Sequence, residues 1–216
     1  MKGYYYFILL LCTTFFSCSN LDKQNKDIKI DKTEGVSFEE LTDKNGKKID
    51  FSNDSIVYHK GKLYTGKVNY YYSNGDIEKE ISYVKGVKNG KATSYFEFGE
   101  INSEVFYKNG SKNGLFKEYD EDGNLYAKVK FLNGKPNGEA LTFHENGEVE
   151  ARSVFKNGER NGKAQMYYDD GSKEVDGYFL NGLEQDTFVY FYKNGNIRTK
   201  EIIDKGILVD CIGDCK

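Results

Sequence analysis

One 24-residue unit occurs six times in succession between Gly66 and Asp210, and this repeat constrains the fold more than any other feature. Its clearest fragment is the motif Asn-Gly-x-x-Asn-Gly at residues 109–114, 133–138 and 157–162. The leading residues of successive units are Gly66, Gly90, Gly114, Gly138, Gly162 and Asp186, and Asp210 follows at the same step. A period of this length predicts a repeat array in which each unit buries its apolar side against its neighbours.

Within each unit the residues have the pattern of strands. We number positions from the leading residue, which is position zero. Between positions eleven and seventeen apolar and polar residues alternate, as in Leu125 to Phe131, which is typical of a half-buried strand. The chain also has 18 Tyr and 15 Phe but a single Pro and no Trp, a composition that favours strands.

A glycine-ended turn separates the two halves of each unit, as in Ser73-Asn74-Gly75. A three-residue loop of this kind predicts a β-hairpin with a type I turn and a bulge. A two-residue Asn-Gly loop is the alternative. We favour the odd loop because it pairs position five with position eleven and places positions five, eleven and seventeen on one buried face. It predicts a structural ladder at position five, formed by Tyr71, Tyr95, Tyr119, Phe143, Tyr167 and Phe191.

These patterns predict an all-β protein, an elongated single stack of antiparallel β-hairpins joined at the Asn-Gly-x-x-Asn-Gly corners. We expect an N-terminal capping unit at 36–65, the six repeats at 66–210 and a C-terminal cap tail at 211–216. Position two is apolar but falls on the wrong face in this arrangement, and we have no account of it at this stage.

The N-terminal residues predict export and a lipid anchor. An apolar run of about 13 residues suits a signal peptide at 1–17 rather than a membrane-spanning helix. Ser17-Cys18 resembles a bacterial lipobox, with Cys18 as the lipidation site and 18–35 as a flexible tether. Ordinary secretion and an uncleaved anchor are the alternatives. Ser19 favours the bacterial outer membrane or cell surface, by resemblance to lipoprotein sorting.

The aromatic residue at position five, the glycine in the turn and the motif Tyr107-Lys108-Asn109-Gly110-x-x-Asn-Gly together resemble the bacterial variant of the MORN repeat over residues 61–206. The resemblance implies a β-repeat fold. It leaves the function open, because such repeats occur in scaffolds, beside catalytic domains and in antitoxins of toxin–antitoxin pairs.

The sequence predicts no enzyme, no metal site, no cofactor and no small-molecule substrate. The net charge of −3 argues against nucleic acid, which requires clustered basic residues. This weakly acidic charge also argues against binding to anionic lipid through a basic patch, so the lipid anchor is the one predicted contact with the membrane. No acid–base pair is evident, and His144 at position six is interpreted as a variable surface residue. Cys211 and Cys215 predict a disulfide, with a reduced, inert pair as the alternative.

The remaining aromatic residues suggest a binding face. In the odd-loop arrangement, several of them point away from the ladder: Tyr70, Tyr72, Phe96, Tyr126, Tyr168, Tyr178, Tyr190 and Tyr192. Tyrosines among mixed charges are typical of interaction surfaces, although aromatic residues also favour strands in general. We therefore expect a non-enzymatic envelope lipoprotein that acts as a protein-interaction scaffold for an unknown protein partner. An antitoxin or immunity-like function and glycan or peptidoglycan binding are the alternatives.

Overall fold

The computed structural model describes residues 35–49 and 56–215. The predicted signal peptide, Cys18 and almost all of the tether lie outside the described residues. Within these residues the chain forms consecutive strands with one short 3-10 helix at Phe38–Glu40. The strands are β1 (Val36–Ser37), β2 (Leu41–Thr42), β3 (Tyr58–His59), β4 (Lys62–Leu63), β5 (Gly66–Tyr71), β6 (Ile77–Val84), β7 (Val87–Tyr95), β8 (Ile101–Lys108), β9 (Ser111–Lys112), β10 (Gly114–Tyr119), β11 (Leu125–Leu132), β12 (Lys135–Phe143), β13 (Val149–Lys156), β14 (Glu159–Tyr167), β15 (Lys173–Leu180), β16 (Leu183–Phe191), β17 (Ile197–Asp204) and β18 (Ile207–Gly213).

Fifteen of these strands form one long sheet, which confirms the all-β prediction. From β5 to β18 the strands pair antiparallel in chain order, and β9 pairs with β8 beside β10. β1 adds to β5 in parallel, while β2, β3 and β4 form a separate three-stranded sheet. This N-terminal segment packs on the first repeat, where the ring of Phe38 stacks on Tyr70 at 5.1 Å.

The predicted three-residue loop is present in the hairpins. In the first repeat the N–H of Tyr72 donates to the carbonyl of Asp76 at 2.8 Å, and the N–H of Gly75 donates back to the carbonyl of Tyr72 at 2.9 Å. Gly75 has a φ of 94°, which a side chain would disfavour. Position five pairs with position eleven as expected, since Tyr71 lies opposite Ile77.

The Asn-Gly-x-x-Asn-Gly segment, however, is a hairpin and not a corner between hairpins. Its first Asn-Gly forms a two-residue turn, with φ of 50° at Asn133 and 81° at Gly134, as a type I′ turn requires. Its second Asn-Gly lies inside β12, where Gly138 has a φ of 111° and the pairing with β11 shifts register. The array is therefore one continuous meander whose strands bend at this glycine.

The two-residue turns stack on one another along the array. The N–H of Gly134 donates to the carbonyl of Lys112 at 2.8 Å, and the N–H of Gly158 donates to that of Pro136 at the same distance. Each turn is thus bonded to the corresponding arm of the preceding repeat. We call the residues just before and after each two-residue turn, such as Lys112, Leu132 and Lys135, the turn arms.

The prediction that positions five, eleven and seventeen share one face is wrong, and a bulge is the reason. Tyr119 lies opposite Leu125, but the next residue back, Glu118, lies opposite Ala127. Tyr126 is therefore an extra residue in β11, and it reverses the alternation along that strand. As a result, position seventeen lies on the same face as positions two and four, while positions five and eleven lie on the other.

The core lies on the face formed by positions two, four, thirteen, fifteen and seventeen, which we call the core face. Position two, unexplained by the sequence, is at most 7% exposed in every repeat: Val68, Ala92, Phe116, Ala140, Ala164 and Phe188. In the third repeat Phe116 meets Phe131 edge to face at 6.2 Å, and the Lys112 ammonium lies over both rings. Cations from the turn arms thus shield the core aromatics from solvent.

Candidate interaction surface

The opposite side of the sheet, formed by positions one, three, five, fourteen and sixteen, is the outer face. The predicted ladder at position five lies here and not in the core. Tyr71 is buried, whereas Tyr95, Tyr119, Phe143, Tyr167 and Phe191 are half-buried. The ladder is polar in part, because the hydroxyls of Tyr95 and Tyr119 bond to carboxylates of the preceding repeat and that of Tyr167 bonds to Gln165.

Two tyrosines of the ladder illustrate this linkage. The Tyr95 hydroxyl donates to Glu80 at 2.9 Å, and the Tyr119 hydroxyl donates to Glu104 at 3.2 Å. Burial, together with the hydrogen bond to Glu80, raises the pKa of Tyr95 to about 12. The phenol therefore stays protonated and remains a donor at neutral pH.

Positions one and fourteen lie near each other on the outer face and carry its ion pairs. In the first repeat Lys67 lies 3.6 Å from Glu80, and in the second Lys91 pairs with Glu104. The Lys91 ammonium lowers the pKa of Glu104 against the opposing effect of burial. In the fourth repeat the same scheme is inverted, since Glu139 at position one lies 3.4 Å from Arg152 at position fourteen.

The third repeat departs from this scheme. Lys117 lies directly opposite Lys128 in the strand pair, and Leu115 lies opposite Lys130. None of these three lysines forms an ion pair within residues 35–49 and 56–215, although Lys128 lies 5.5 Å from the centre of the Phe143 ring. We call Leu115, Lys117, Lys128 and Lys130 the lysine patch.

The eight predicted binding-face residues do not form one surface. Tyr70 is only 7% exposed and belongs to the core face, so its assignment to a binding face is wrong. It lies there because the bulge places position four with the core. Tyr190, also at position four, is half-buried and donates to Glu201 at 3.0 Å.

Three of the four position-six residues among the eight, all tyrosines, make hydrogen bonds to the segment that follows their repeat. The hydroxyl of Tyr72 donates to the backbone carbonyl of Tyr95 at 2.7 Å, and that of Tyr168 donates to the carbonyl of Phe191 at 2.8 Å. The hydroxyl of Tyr192, in the last repeat, donates to the carboxylate of Asp214 instead. These tyrosines therefore have a structural role.

His144, interpreted from the sequence as a variable surface residue, occupies the same position and makes the same contact. Its Nε2 lies 2.8 Å from the carbonyl oxygen of Tyr167, and the Nε2–H tautomer is the donor. The sequence places His144 in one column with Tyr72 and Tyr168, but Phe96 and Asp120 in the same column hide this shared role.

The other three predicted residues lie in different places. Phe96 is half-buried and stacks on the exposed Phe98 at 5.3 Å. Tyr126 is the bulge residue of β11 and is 41% exposed. Tyr178 is 37% exposed and lies on the outer face opposite Lys163.

The outer face also exposes apolar residues that are not among the eight predicted binding-face residues. Phe106 and Ile202 occupy position sixteen and Leu115 occupies position one, and each side chain is between 37% and 47% exposed. Phe106 lies opposite Lys91, as Tyr178 lies opposite Lys163, so exposed apolar side chains alternate with lysines. The columns at positions one and sixteen were the signal in the sequence, once the bulge was known.

The C-terminal end of the sheet holds the two remaining cysteines. Cys211 and Cys215 form a disulfide with their Cα atoms 6.0 Å apart, at the end of β18. No group of three or more histidine, cysteine, aspartate or glutamate side chains in the described part could hold a metal ion. No helix among the described residues is long and apolar enough to cross a membrane.

Comparison with known proteins shows similarity to a family model over part of the chain. Curated proteins gave no significant match. One match among solved structures is the crystal structure of the GtfA/B complex bound to UDP and GlcNAc, which is 10% identical and covers 51% of this chain and 22% of that chain. The chain spans less than a quarter of that protein, and the TM-score of 0.24 supports no statement about fold or function.

A family model described as MORN repeat variant matches four consecutive segments, residues 64–85, 88–109, 112–133 and 136–157. Each segment begins two residues before a leading glycine and covers both strands of the following glycine-turn hairpin. The first four units of this array therefore match the MORN repeat variant, in agreement with the resemblance in the sequence.

Proposed function

We propose that this chain is a non-enzymatic lipoprotein of the cell envelope whose repeat array acts as a protein-interaction scaffold. The observation that carries this proposal is the outer face. Phe106, Leu115, Tyr178 and Ile202 remain 37% to 47% exposed there, on a sheet whose strands pair with their neighbours in the chain.

The outer face has the composition of a protein-binding surface. It exposes aromatic and aliphatic side chains, and aromatic residues are enriched where proteins bind each other. Equivalent positions of successive repeats are separated by two strands, or about 10 Å. An extended partner could therefore contact several repeats at once, which adds weak contacts into a specific interface.

Crosslinking in living cells would test the scaffold. A photoreactive phenylalanine analogue would replace Phe106 or Tyr178 on the outer face, or Leu132 on a turn arm as the control. Leu132 is 46% exposed, so its reactivity with random neighbours should be similar. We expect the same discrete protein adduct from Phe106 and Tyr178 and none from Leu132. Adducts that are absent, or equal at all three sites, would rule out the scaffold.

The lipid anchor is proposed from Ser17-Cys18 and the apolar run before it. Cys18→Ser should move the protein from the membrane fraction to the soluble fraction, because acylation requires the thiol. Cys12→Ser is the matched control and should leave fractionation unchanged. Membrane retention of the Cys18→Ser protein would contradict the lipoprotein proposal.

The antitoxin alternative depends on the identity of the partner. A toxin in the crosslinked adduct would establish it, since the outer face would then neutralise that toxin. Glycan or peptidoglycan binding loses its structural support, because the tyrosines proposed for the aromatic platform do not share one surface. They are divided among the core face, the position-six contacts between repeats and the outer face.

A further inference from the structure

Three of the six repeats pair a charge at position one of the outer face with an opposite charge at position fourteen. In the first two repeats a lysine at position one pairs with a glutamate at position fourteen: Lys67 with Glu80, and Lys91 with Glu104. The fourth repeat keeps the pair in inverted form, with Glu139 and Arg152. In these three repeats the charge of each strand pair is thus balanced within the repeat. In the fifth repeat Asp176 pairs with Lys173 instead, and the sixth has Thr187 and Lys200 at the two positions.

The third repeat has no such pair. Leu115 replaces the position-one charge, Lys128 replaces the glutamate, and Lys117 and Lys130 add two more positive charges on the same face. The nearest carboxylate along the ladder, Glu104 opposite Lys117, already pairs with Lys91 and accepts a hydrogen bond from Tyr119. Three positive charges therefore concentrate at the middle of a chain whose net charge is −3.

This concentration disfavours the sheet itself. Like charges directly opposite each other in a strand pair are destabilising, and Lys117 lies directly opposite Lys128. The aromatic ladder changes together with the charge. Lys128 lies over the ring of Phe143, the position-five residue of the next repeat. At the same position Tyr95 and Tyr119 donate to glutamates of the preceding repeat. The site is thus consistently basic and apolar.

We propose that the lysine patch binds an acidic, extended segment of a partner protein. Carboxylates of the segment lie between Lys117, Lys128 and Lys130, and an apolar side chain next to them packs on Leu115, which is 41% exposed. This inference rests on the proposed scaffold function and specifies the chemistry of the partner.

The arrangement of charges favours a protein segment over an anionic membrane surface. Binding to anionic lipid uses a broad cluster of basic residues. Here the basic region is confined to one repeat, and Glu104 and Glu139 flank it on the two sides. A flat anionic surface would meet these carboxylates together with the lysines, whereas a narrow acidic segment can lie between them.

A binding experiment on the full chain in a neutral detergent tests the proposal. The probe is a short fluorescein-labelled peptide that alternates glutamate and leucine, and the comparison peptide has glutamine in place of glutamate. Anisotropy is measured with the native chain, with the double variant Lys117→Gln and Lys128→Gln, and with the control Lys135→Gln and Lys156→Gln. The control removes the same charge from exposed lysines of the turn arms.

We expect the double variant to bind the acidic peptide at least about tenfold more weakly than the native chain, and the control to bind within about twofold of it. Added salt should weaken the native binding, and the glutamine peptide should bind poorly. Equal binding by both double variants, or no binding by the native chain, would overturn the proposal. Circular dichroism of each variant shows whether the sheet is retained.

Vesicles rich in phosphatidylglycerol form the second arm. If the lysine-patch variant loses salt-dependent vesicle binding while the peptide never binds, the ligand is a membrane and the proposal is wrong. The scaffold function would fail separately, through missing adducts at Phe106 and Tyr178. Persisting adducts with no peptide binding would leave the scaffold standing with a partner of different chemistry.

Discussion

The Nε2 of His144 lies 2.8 Å from the carbonyl oxygen of Tyr167, 23 residues further along the chain. Tyr72 and Tyr168 make the same contact to the carbonyls of Tyr95 and Phe191, so a tyrosine or histidine at position six acts as a staple between consecutive repeats. In the sixth repeat the Asp214 carboxylate accepts the bond from Tyr192 in place of a carbonyl. The disulfide between Cys211 and Cys215 holds the segment that contains this acceptor.

Tyr168→Phe should lower the free energy of unfolding by about 1 kcal/mol, because it removes a hydroxyl that donates to a half-buried carbonyl. Urea denaturation followed by circular dichroism would measure the change. Tyr178→Phe is the matched control on the outer face and should change stability by no more than a few tenths of a kcal/mol. Equal losses in both variants would contradict the staple.

Phe131→Ala should cost about 3–5 kcal/mol, since Phe131 is buried in the core face against Phe116. Tyr119→Ala should cost less than half as much, because Tyr119 is a half-buried member of the outer ladder. Thermal and urea unfolding of the two variants would compare them directly. A larger loss from Tyr119→Ala would mean that the assignment of the two faces is reversed.

Gly177→Ala should destabilise the fifth repeat by about 1–3 kcal/mol, because a Cβ there would lie 2.3 Å from the Phe188 ring. Phe188 fills the space that a side chain at Gly177 would take. In a Phe188→Ala background the same change should cost nothing further, so a double-mutant cycle should give a coupling of about 1–3 kcal/mol. Additive losses would show that the two residues do not share this space.

Glu118→Gln should stabilise the protein at neutral pH, and the gain should disappear in acid. Burial raises the pKa of Glu118, and the attraction of Lys112 offsets part of this increase. With the folded pKa above the unfolded one, the charged form is penalised only in the folded state, and the penalty is absent below the ordinary glutamate pKa. Urea denaturation at about pH 7 and about pH 4 would measure both values.

Glu104→Gln provides the opposite case. The hydrogen bond and charge of Lys91 lower the pKa of Glu104, so its carboxylate stabilises the folded state above the ordinary glutamate pKa. Its replacement should therefore reduce stability at neutral pH and have little effect once the pH falls below the folded pKa. The same pH response in both variants would contradict these assignments.

Lys128→Glu should be more stable than Lys128→Gln by about 0.2–1 kcal/mol at low ionic strength, because a glutamate would lie opposite Lys117. Both variants lose the contact with the Phe143 ring, so their difference isolates the charge. Lys128→Glu should also bind the acidic peptide least. Greater stability together with weaker binding would show that the native lysine is kept for its partner and not for the fold.

The repeat period predicted the strands, the glycine-ended turns and the pairing of Tyr119 with Leu125, because these depend on local sequence patterns. The faces were not predictable in the same way. The bulge at Tyr126 follows from the relation between two strands, and its single extra residue moves Phe131 to the core face and Tyr119 away from it. Similarly, the second Asn-Gly resembles a turn locally, yet Asn137 and Gly138 lie inside a strand because neighbouring strands pair on both sides.

The candidate site was partly visible in the sequence. The sequence predicts that both Tyr178 and Tyr70 belong to an interaction surface. Tyr178 lies on the outer face, whereas Tyr70 is buried. The distinction required the register of the strands. Two residues of the lysine patch stand out in the sequence, since Lys117 and Lys130 are the single charged residues of their columns. That the lysines of the patch lie on one face of the sheet follows from the strand register, which only the structure gives.

The hydrogen bond from each two-residue turn to the preceding repeat affects how the number of repeats can change in evolution. Because the N–H of Gly134 reaches only Lys112, and that of Gly158 only Pro136, every copy depends on its immediate neighbours alone. An in-frame duplication or deletion of one copy would alter the length of the molecule by about 10 Å and leave its cross-section intact. Reach toward a distant target can therefore be adjusted genetically without redesigning any contact.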